Sequence, residues 1–200
     1  SLGLVGSEMC IRDRGGAQHN FAKHLSEFMS KPMSALQIGA YTGDATVWLF
    51  DNIIKHNDGS SLVDVDTWEG SDEPEHQDMD WQSVESTYDE KTKEHQDSGK
   101  LCKIKSTSDE FFSSNESTYD FIYVDGDHTA ASVLKDGVNA VKFIKRGGII
   151  AFDDYMWRSG KGQTFDPYPS IDAIMTAFQE DFTIMEVGLQ LSLIHISEPT

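Results

Sequence analysis

Short apolar runs alternate with segments of helical periodicity along the chain, and this alternation is the feature that most restricts its fold. Strand candidates lie at 35–38, 61–65, 102–105, 120–124, 149–152 and 182–187. Several of these runs are uniformly apolar, which is typical of parallel strands covered by helices on both faces. The pattern therefore predicts an α/β fold, with a doubly wound, mostly parallel, Rossmann-like sheet in one domain.

Helical patterns occupy the segments between the strands. The clearest runs from 129 to 145, with Thr129 as a candidate N-cap and Gly147 as a left-handed residue at its end. Its apolar face is predicted from Leu134, Val138 and Val141 at i, i+4 and i+7, with Val133, Gly137 and Ile144 beside them. Further helices are predicted around 47–54, after the first strand, and over 170–180.

The two ends of the chain do not follow this pattern. Residues 1–14 and 191–200 show neither helical nor strand periodicity, and both resemble translated sequencing-library adapter. We therefore predict a domain over 15–190 with non-native ends. On this interpretation the last strand of the sheet is truncated where the adapter-like tail begins.

Composition excludes several classes of function. The formal net charge of −18 argues against nucleic-acid binding, which requires a basic face. No apolar run reaches the roughly 18 residues needed to span a membrane and no signal peptide is visible, so a cytoplasmic location is expected. Cys10 and Cys102 provide no disulfide framework. Residues 64–97 carry thirteen acidic side chains, which indicate either a solvated segment or a lid over a site.

In doubly wound sheets, ligands bind outside the carboxyl ends of the strands. The segment 38–46, IGAYTGDAT, combines a strand end, a glycine turn and a helix start, so backbone N–H groups can approach a ligand closely. Its G-x-x-x-G spacing is not the dinucleotide fingerprint. Asp66 ends the next strand, where such folds place a carboxylate that accepts hydrogen bonds from ribose; Asp64 is the competing candidate. The turn and the acid together favour a nucleoside ligand.

A second group of acids follows the fourth and fifth strands. A right-handed crossover would place Asp125 beside Asp153 and Asp154. Three adjacent carboxylates repel one another unless a cation lies among them, and oxygen ligands suit Mg²⁺. The alternative is that Asp153 and Asp154 cap the next loop. His128, three residues after Asp125, is either a general base or a surface or packing residue.

Four blocks in this order carry a family resemblance: LQIGAYTGDATVWL, VDTWEG, YDFIYVDGDH and RGGIIAFDDY. Together they resemble the class I S-adenosylmethionine-dependent methyltransferases over residues 35–188, most closely the branch of the macrocin-type sugar O-methyltransferases. The resemblance implies that S-adenosylmethionine is bound around its methionine part by Gly39, Ala40, Tyr41 and Gly43, at its ribose by Asp66, and at its adenine by Trp68, Ser106 and Ser108. It further implies that Asp125, Asp153 and Asp154 ligate Mg²⁺ or a similar divalent cation, with His128 as the base.

The chain departs from this family at Gln37, where an acidic residue is common. We predict a metal-assisted O-methyltransferase that acts on a small-molecule hydroxyl of sugar or polyketide type, with no nucleic-acid or membrane partner; homo-oligomerisation is left open. Two alternatives are an NAD-dependent oxidoreductase, which would lack the third glycine of its fingerprint, and a non-enzymatic acidic metal-binding or interaction module.

Overall fold

The computed structural model describes residues 18–71, 76, 78–188 and 191–196 of the chain. In this part of the chain the strands are β1 Ser34–Ile38, β2 Ser61–Asp66, β3 Leu101–Lys105, β4 Tyr119–Val124, β5 Ile144–Asp153, β6 Phe182–Val187 and β7 Leu191–Ile196. They form one sheet in the order β3-β2-β1-β4-β5-β7-β6. Neighbours among β1 to β5 are parallel, whereas β7 is antiparallel to β5 and β6. The predicted doubly wound, mostly parallel α/β fold is confirmed.

Helices connect the strands and cover both faces of the sheet. They are α1 over 18–24, α2 Asp44–Asn52, α3 Trp81–Asp97, α4 Ser108–Ser114, α5 Ala130–Phe143 and α6 Tyr168–Ala177. The Thr129 side chain accepts a hydrogen bond from the Ser132 amide, so the predicted N-cap of α5 is confirmed. In the part of the chain that the structure describes, no helix is both long and apolar enough to cross a membrane.

Alternate residues of the central strands enter two separate cores. Phe121 and Tyr123 of β4 pack with α1 and α2, and the Phe21 ring lies 5.4 and 5.0 Å from their rings. Ile122 and Val124 pack on the other face with α4, α5 and α6. Because both faces are covered, the strands contain apolar residues at successive positions, and this is the pattern that makes them visible in the sequence.

The buried face of α5 agrees with the predicted one only in part. Val133 and Gly137 are buried as predicted, whereas Leu134 and Val138 are 42% and 47% exposed. The other buried residues of α5 are Asp136, Ala140 and Phe143. A Cβ on Gly137 would lie 2.2 Å from Cδ1 of Ile174 in α6, so the small residue allows a close approach that turns this face inward. The helix also ends earlier than predicted, at Phe143, and Gly147 with φ 77° lies within β5.

The second half of the acidic segment forms the packed helix α3, which was not predicted from the sequence. Val84, Tyr88 and Thr92 are its buried residues, and their i, i+4, i+8 spacing is a helical signal within the charged sequence. On its outer side, Lys103 of β3 binds Glu85 and Asp89 at 2.7 Å each. The segment is therefore solvated on one face and packed on the other.

The last strand is present rather than truncated. The backbone of β7 pairs with β5 from Ile149↔His195 to Asp153↔Leu191, and also with β6, and these pairs satisfy peptide groups that an open edge would leave free. The adapter-like residues 1–14 and 197–200 lie outside the described residues. The domain limits of 15–190 stay a prediction, and β7 lies beyond the upper one.

Candidate active site

The turn after β1 and the segment after β4 are in direct contact. The Gly39 amide donates to the carbonyl of Val65 at 2.9 Å, and the Asp125 amide donates to the carbonyl of Ile38 at 2.8 Å. Gly39 has φ 85°, and a Cβ at this position would lie only 1.9 Å from the Asp125 carbonyl oxygen. The glycine therefore brings the predicted cofactor turn against the predicted catalytic cluster.

We expect Gly39→Ala to lower the free energy of unfolding by about 3 kcal/mol, because backbone strain of about 1–2 kcal/mol adds to a clash of about 1–3 kcal/mol. Gly99→Ala is the matched control, since Gly99 has φ 75° but nothing within 4 Å of the added Cβ. The control should lose only the strain contribution. Chemical denaturation measures both, and equal losses would show that the contact with Asp125 is not restrictive.

Asp66 lies at the centre of the cofactor turn. Its Oδ2 accepts hydrogen bonds from the amides of Ala40 at 2.8 Å and Tyr41 at 2.9 Å, and its Oδ1 accepts from the amide of Trp68 at 2.8 Å. The Trp68 indole donates to the Tyr41 carbonyl at 2.9 Å and is only 2% exposed. The structure thus brings Asp66 and Trp68 to the turn, with Trp68 supporting it from below the surface.

The residues after β3 contact Asp66 through its backbone. The Ser106 amide donates to the Asp66 carbonyl at 3.1 Å, and Ser108 is the first residue of α4. Thr107 and Glu110 form a reciprocal capping box at the start of this helix. Helix α4 was not predicted from the sequence, although the spacing Thr-x-x-Glu is a signal for the N-terminus of a helix.

His128 lies between two carboxylates. Its Nε2 is 3.1 Å from Asp154 Oδ2 and 3.7 Å from Asp125 Oδ1. Its ring is 5.5 Å from the Trp157 ring, a neighbour for which the sequence holds no signal. Asp127, the nearby acid and the alternative base, instead accepts hydrogen bonds from the Thr129 amide at 3.0 Å and the Ser132 hydroxyl at 2.7 Å, so it supports the N-cap residue of α5.

Asp153 faces a buried tyrosine. The Tyr123 hydroxyl donates to Asp153 Oδ2 at 2.6 Å, and the Asp154 amide donates to Asp153 Oδ1 at 2.9 Å. The hydrogen bond from the Asp154 amide joins neighbouring residues, as expected if Asp153 caps the loop. The sequence analysis did not identify Tyr123, although a tyrosine in an apolar strand needs a partner for its hydroxyl.

The carboxyl groups of Asp125, Asp153 and Asp154 lie close together and are poorly solvated. Burial raises the pKa of Asp125 to about 6, with His128 opposing the shift, although 29% of the Asp125 side chain remains exposed. Burial and the charges of Asp125 and Asp154 raise the pKa of Asp153 well above its usual value. Carboxylate oxygens are the donors that a hard cation prefers, and a cation would relieve this repulsion. Within the described ranges, however, no three His, Cys, Asp or Glu side chains are arranged to hold a metal.

Asp64 is too deep to be the ribose acid. It has no exposed surface, and its Oδ2 accepts hydrogen bonds from the hydroxyls of Thr46 at 2.6 Å and Tyr88 at 2.8 Å. Burial raises its pKa from 3.8 to about 7. Of the two candidates at the end of β2, Asp66 is therefore the one in contact with the turn.

The raised pKa of Asp64 predicts that stability falls as pH rises. Between about 4 and about 7, folded Asp64 keeps a proton that the unfolded chain releases, so the free energy of unfolding decreases across this window. Asp64→Asn should flatten the dependence of melting temperature on pH, whereas Asp58→Asn, at an exposed site, should not. Asp125 and Asp136, whose pKa burial raises to about 6, leave a residual slope. An identical slope in Asp64→Asn and the unaltered protein would contradict the assignment.

Comparisons with known proteins agree with this fold. A family model described as "Methyltransferase domain" matches residues 36–155. No curated protein matches the chain in sequence. The O-methyltransferase TomG from Streptomyces achromogenes, solved with S-adenosylmethionine, is 13% identical with a TM-score of 0.63, over 92% of this chain and 80% of that one. An S-adenosylhomocysteine-bound methyltransferase from Podospora anserina is 15% identical with a TM-score of 0.60, over 87% and 76%.

The methyltransferase MycE from the mycinamycin biosynthetic pathway, solved with Mg and S-adenosylhomocysteine, is 12% identical with a TM-score of 0.61. The match covers 90% of this chain and 49% of that one. At these identities the structures show a shared fold. Because the family model covers more than half of its length, the chain belongs to the methyltransferase domain family and is a class I S-adenosylmethionine-dependent methyltransferase. The oxidoreductase and the non-enzymatic module are thereby set aside.

Proposed function

We propose that this enzyme transfers a methyl group from S-adenosylmethionine to a hydroxyl group of a small molecule of sugar or polyketide type. The observation that carries the proposal is the position of His128 between Asp125 and Asp154, in the segment after β4 whose first residue, Asp125, contacts the glycine turn. A base at that position can deprotonate a hydroxyl next to a methyl donor. TomG is named an O-methyltransferase, which supports the choice of oxygen as the acceptor atom.

The cofactor is assigned to the turn of β1 and the ends of β2 and β3. Gly39 and Gly43, both with positive φ, leave the two ends of the turn without side chains, so that backbone groups at Ala40 and Tyr41 can approach the methionine part. Asp66 would hold the ribose and Ser106 and Ser108 would frame the adenine, as the family resemblance implies, whereas the buried Trp68 would contribute through the turn that it supports. S-adenosylmethionine supplies an electrophilic methyl group on a sulfonium centre.

We expect Asp66→Ala to weaken S-adenosylhomocysteine binding by about 1–3 kcal/mol, the range for losing hydrogen bonds to a charged group. The loss has two sources in this structure, because Asp66 also holds the amides of Ala40 and Tyr41. Asp66→Asn is the matched control, which keeps one acceptor oxygen and should lose less. Calorimetric titration measures both variants. Unchanged affinity in a folded Asp66→Ala protein would contradict the assignment.

A divalent cation is assigned to Asp125, Asp153 and Asp154. Carboxylate oxygens are the donors that Mg²⁺ prefers, and a cation would offset the burial that raises the pKa of Asp125 and Asp153. The Mg in the MycE structure supports the same assignment. Held by these acids, such a cation would stabilise negative charge on a hydroxyl oxygen that loses its proton.

The protein side chains would then perform the proton transfer. The imidazole of His128 accepts the hydroxyl proton, and Asp154 and Asp125, whose oxygens lie 3.1 and 3.7 Å from Nε2, stabilise the resulting imidazolium. Tyr123 fixes the rotamer of Asp153 through its hydrogen bond. The overall transfer forms an O–C bond, breaks the S–C bond, and leaves S-adenosylhomocysteine and a protonated His128.

A methyl-transfer assay tests the proposed function. The protein is incubated with S-adenosylmethionine, Mg²⁺ and a panel of sugar, polyketide and phenol hydroxyl acceptors, and products are analysed by mass spectrometry. We expect one acceptor class to gain a methyl group on oxygen, with turnover lost in excess chelator. Full turnover in chelator would contradict the metal assignment, and transfer only to nitrogen or carbon acceptors would contradict the O-methyltransferase assignment. The cytoplasmic location, the macrocin-type branch and the absence of nucleic-acid and membrane partners stay predictions.

A further inference from the structure

Asp64 of β2 is a buried acid that the proposed reaction does not use. It joins two helices, because its Oδ2 accepts hydrogen bonds from Thr46 in α2 and from Tyr88 in α3. Its Oδ1 is buried without a hydrogen-bond partner. An unsatisfied buried carboxyl oxygen costs stability, so packing alone does not explain an acid at this position.

Both helices that Asp64 joins contact the cofactor turn. A Cβ on Gly43, which precedes α2, would lie 3.0 Å from the Tyr88 ring and 3.2 Å from Thr92, so α3 packs closely against the turn. The Tyr88 ring is 4.9 Å from the Trp68 ring, and Trp68 donates to the Tyr41 carbonyl. Movement of α3 would therefore shift the turn at both Gly43 and Tyr41.

We propose that Asp64, through the hydroxyl groups of Thr46 and Tyr88, is a positioning residue that holds the cofactor turn in its binding conformation. This role rests on the proposed function, in which that turn binds S-adenosylmethionine. Asp64 itself has no exposed surface and does not touch the cofactor. Its effect reaches the cofactor through α2 and α3. The hydrogen bond from Tyr88 to Asp64 also fixes the packed face of α3, which lies within a charged segment.

The test separates positioning from stability. Tyr88→Phe and Thr46→Val each remove one donor hydroxyl and keep the side-chain shape, and each should weaken S-adenosylhomocysteine binding by up to about tenfold. Asp64→Leu removes both contacts together with the cost of the buried acid. It should weaken binding by about tenfold or more while its melting temperature stays near or above that of the unaltered protein. Asp64→Asn, whose amide oxygen can accept both hydrogen bonds, should restore most of the affinity.

The control is Tyr119→Phe, which removes a buried tyrosine hydroxyl bonded to Asn115 at 3.0 Å at the opposite end of β4. Its affinity should be unchanged. Should the unaltered protein fail to bind S-adenosylhomocysteine, the proposed function and the inference would both be overturned. If the unaltered protein binds and the folded Tyr88→Phe and Thr46→Val variants bind equally well, the inference alone is overturned, whether or not Asp64→Leu folds.

Discussion

His128→Ala is expected to lower kcat by about 10²–10⁴, the range for the loss of a general base. The reason is its position, because Nε2 faces two carboxylates that stabilise a bound proton, and one of them, Asp125, contacts the glycine turn. Cofactor affinity should stay close to that of the unaltered enzyme, since the residues assigned to S-adenosylmethionine do not include His128.

Asp127 provides the matched control for His128, because it is one residue away in sequence and is the alternative base. Its carboxylate accepts hydrogen bonds from Thr129 and Ser132 at the start of α5. Asp127→Asn should therefore lower stability more than kcat. Steady-state kinetics with the acceptor identified from the panel, together with calorimetric S-adenosylhomocysteine binding, measures both variants. If His128→Ala keeps its rate, the cation alone activates the hydroxyl and the imidazole has no catalytic role.

The second large effect is expected at the proposed metal ligands. Asp125→Asn and Asp153→Asn should each abolish Mg²⁺-dependent turnover, because each removes a carboxylate charge from a site whose ligands are all acids. The Asp125 amide would still donate to Ile38, so the junction with the cofactor turn is preserved and cofactor affinity should change little.

Stability gives an independent readout for the same variants. Burial raises the pKa of both acids, so their replacement by neutral amides should not destabilise the fold through lost charge. We therefore expect melting temperatures near that of the unaltered protein when Mg²⁺ is absent, and a smaller rise when Mg²⁺ is added. Mg²⁺-dependent turnover at an unchanged rate in both variants would contradict the ligand assignment.

The strands could be predicted from the sequence because two-sided burial makes them continuous apolar runs. The six predicted strands all occur, and the predicted bounds of 182–187 match Phe182–Val187. Periodicity was less informative for the helices. In α5 two apolar stripes overlap, and the close contact of Gly137 with Ile174 decides which one is buried. The buried face of α3 could not be recognised in the sequence, because it consists of only three residues among many charged ones.

The site was predictable where strand order determines it. Parallel neighbours bring Asp125 and Asp153 to one edge, so their proximity follows from the crossover rule. The contacts that orient these acids could not be predicted, because they depend on rotamers. Tyr123 is thirty residues from Asp153 in the chain, and Trp157 reaches His128 from an irregular loop. Asp64 was considered only as a ribose ligand. Its burial between α2 and α3 could not be predicted, because α3 itself was not predicted.

Titration of the unaltered protein with S-adenosylhomocysteine in a calorimeter, with NAD⁺ as the comparison ligand and with Mg²⁺ present or absent, tests the central claim most directly. The account predicts saturable binding of one S-adenosylhomocysteine per chain, nearly independent of Mg²⁺ because the cation is assigned to the acceptor side, and no binding of NAD⁺. A folded protein that binds NAD⁺ but not S-adenosylhomocysteine would contradict it.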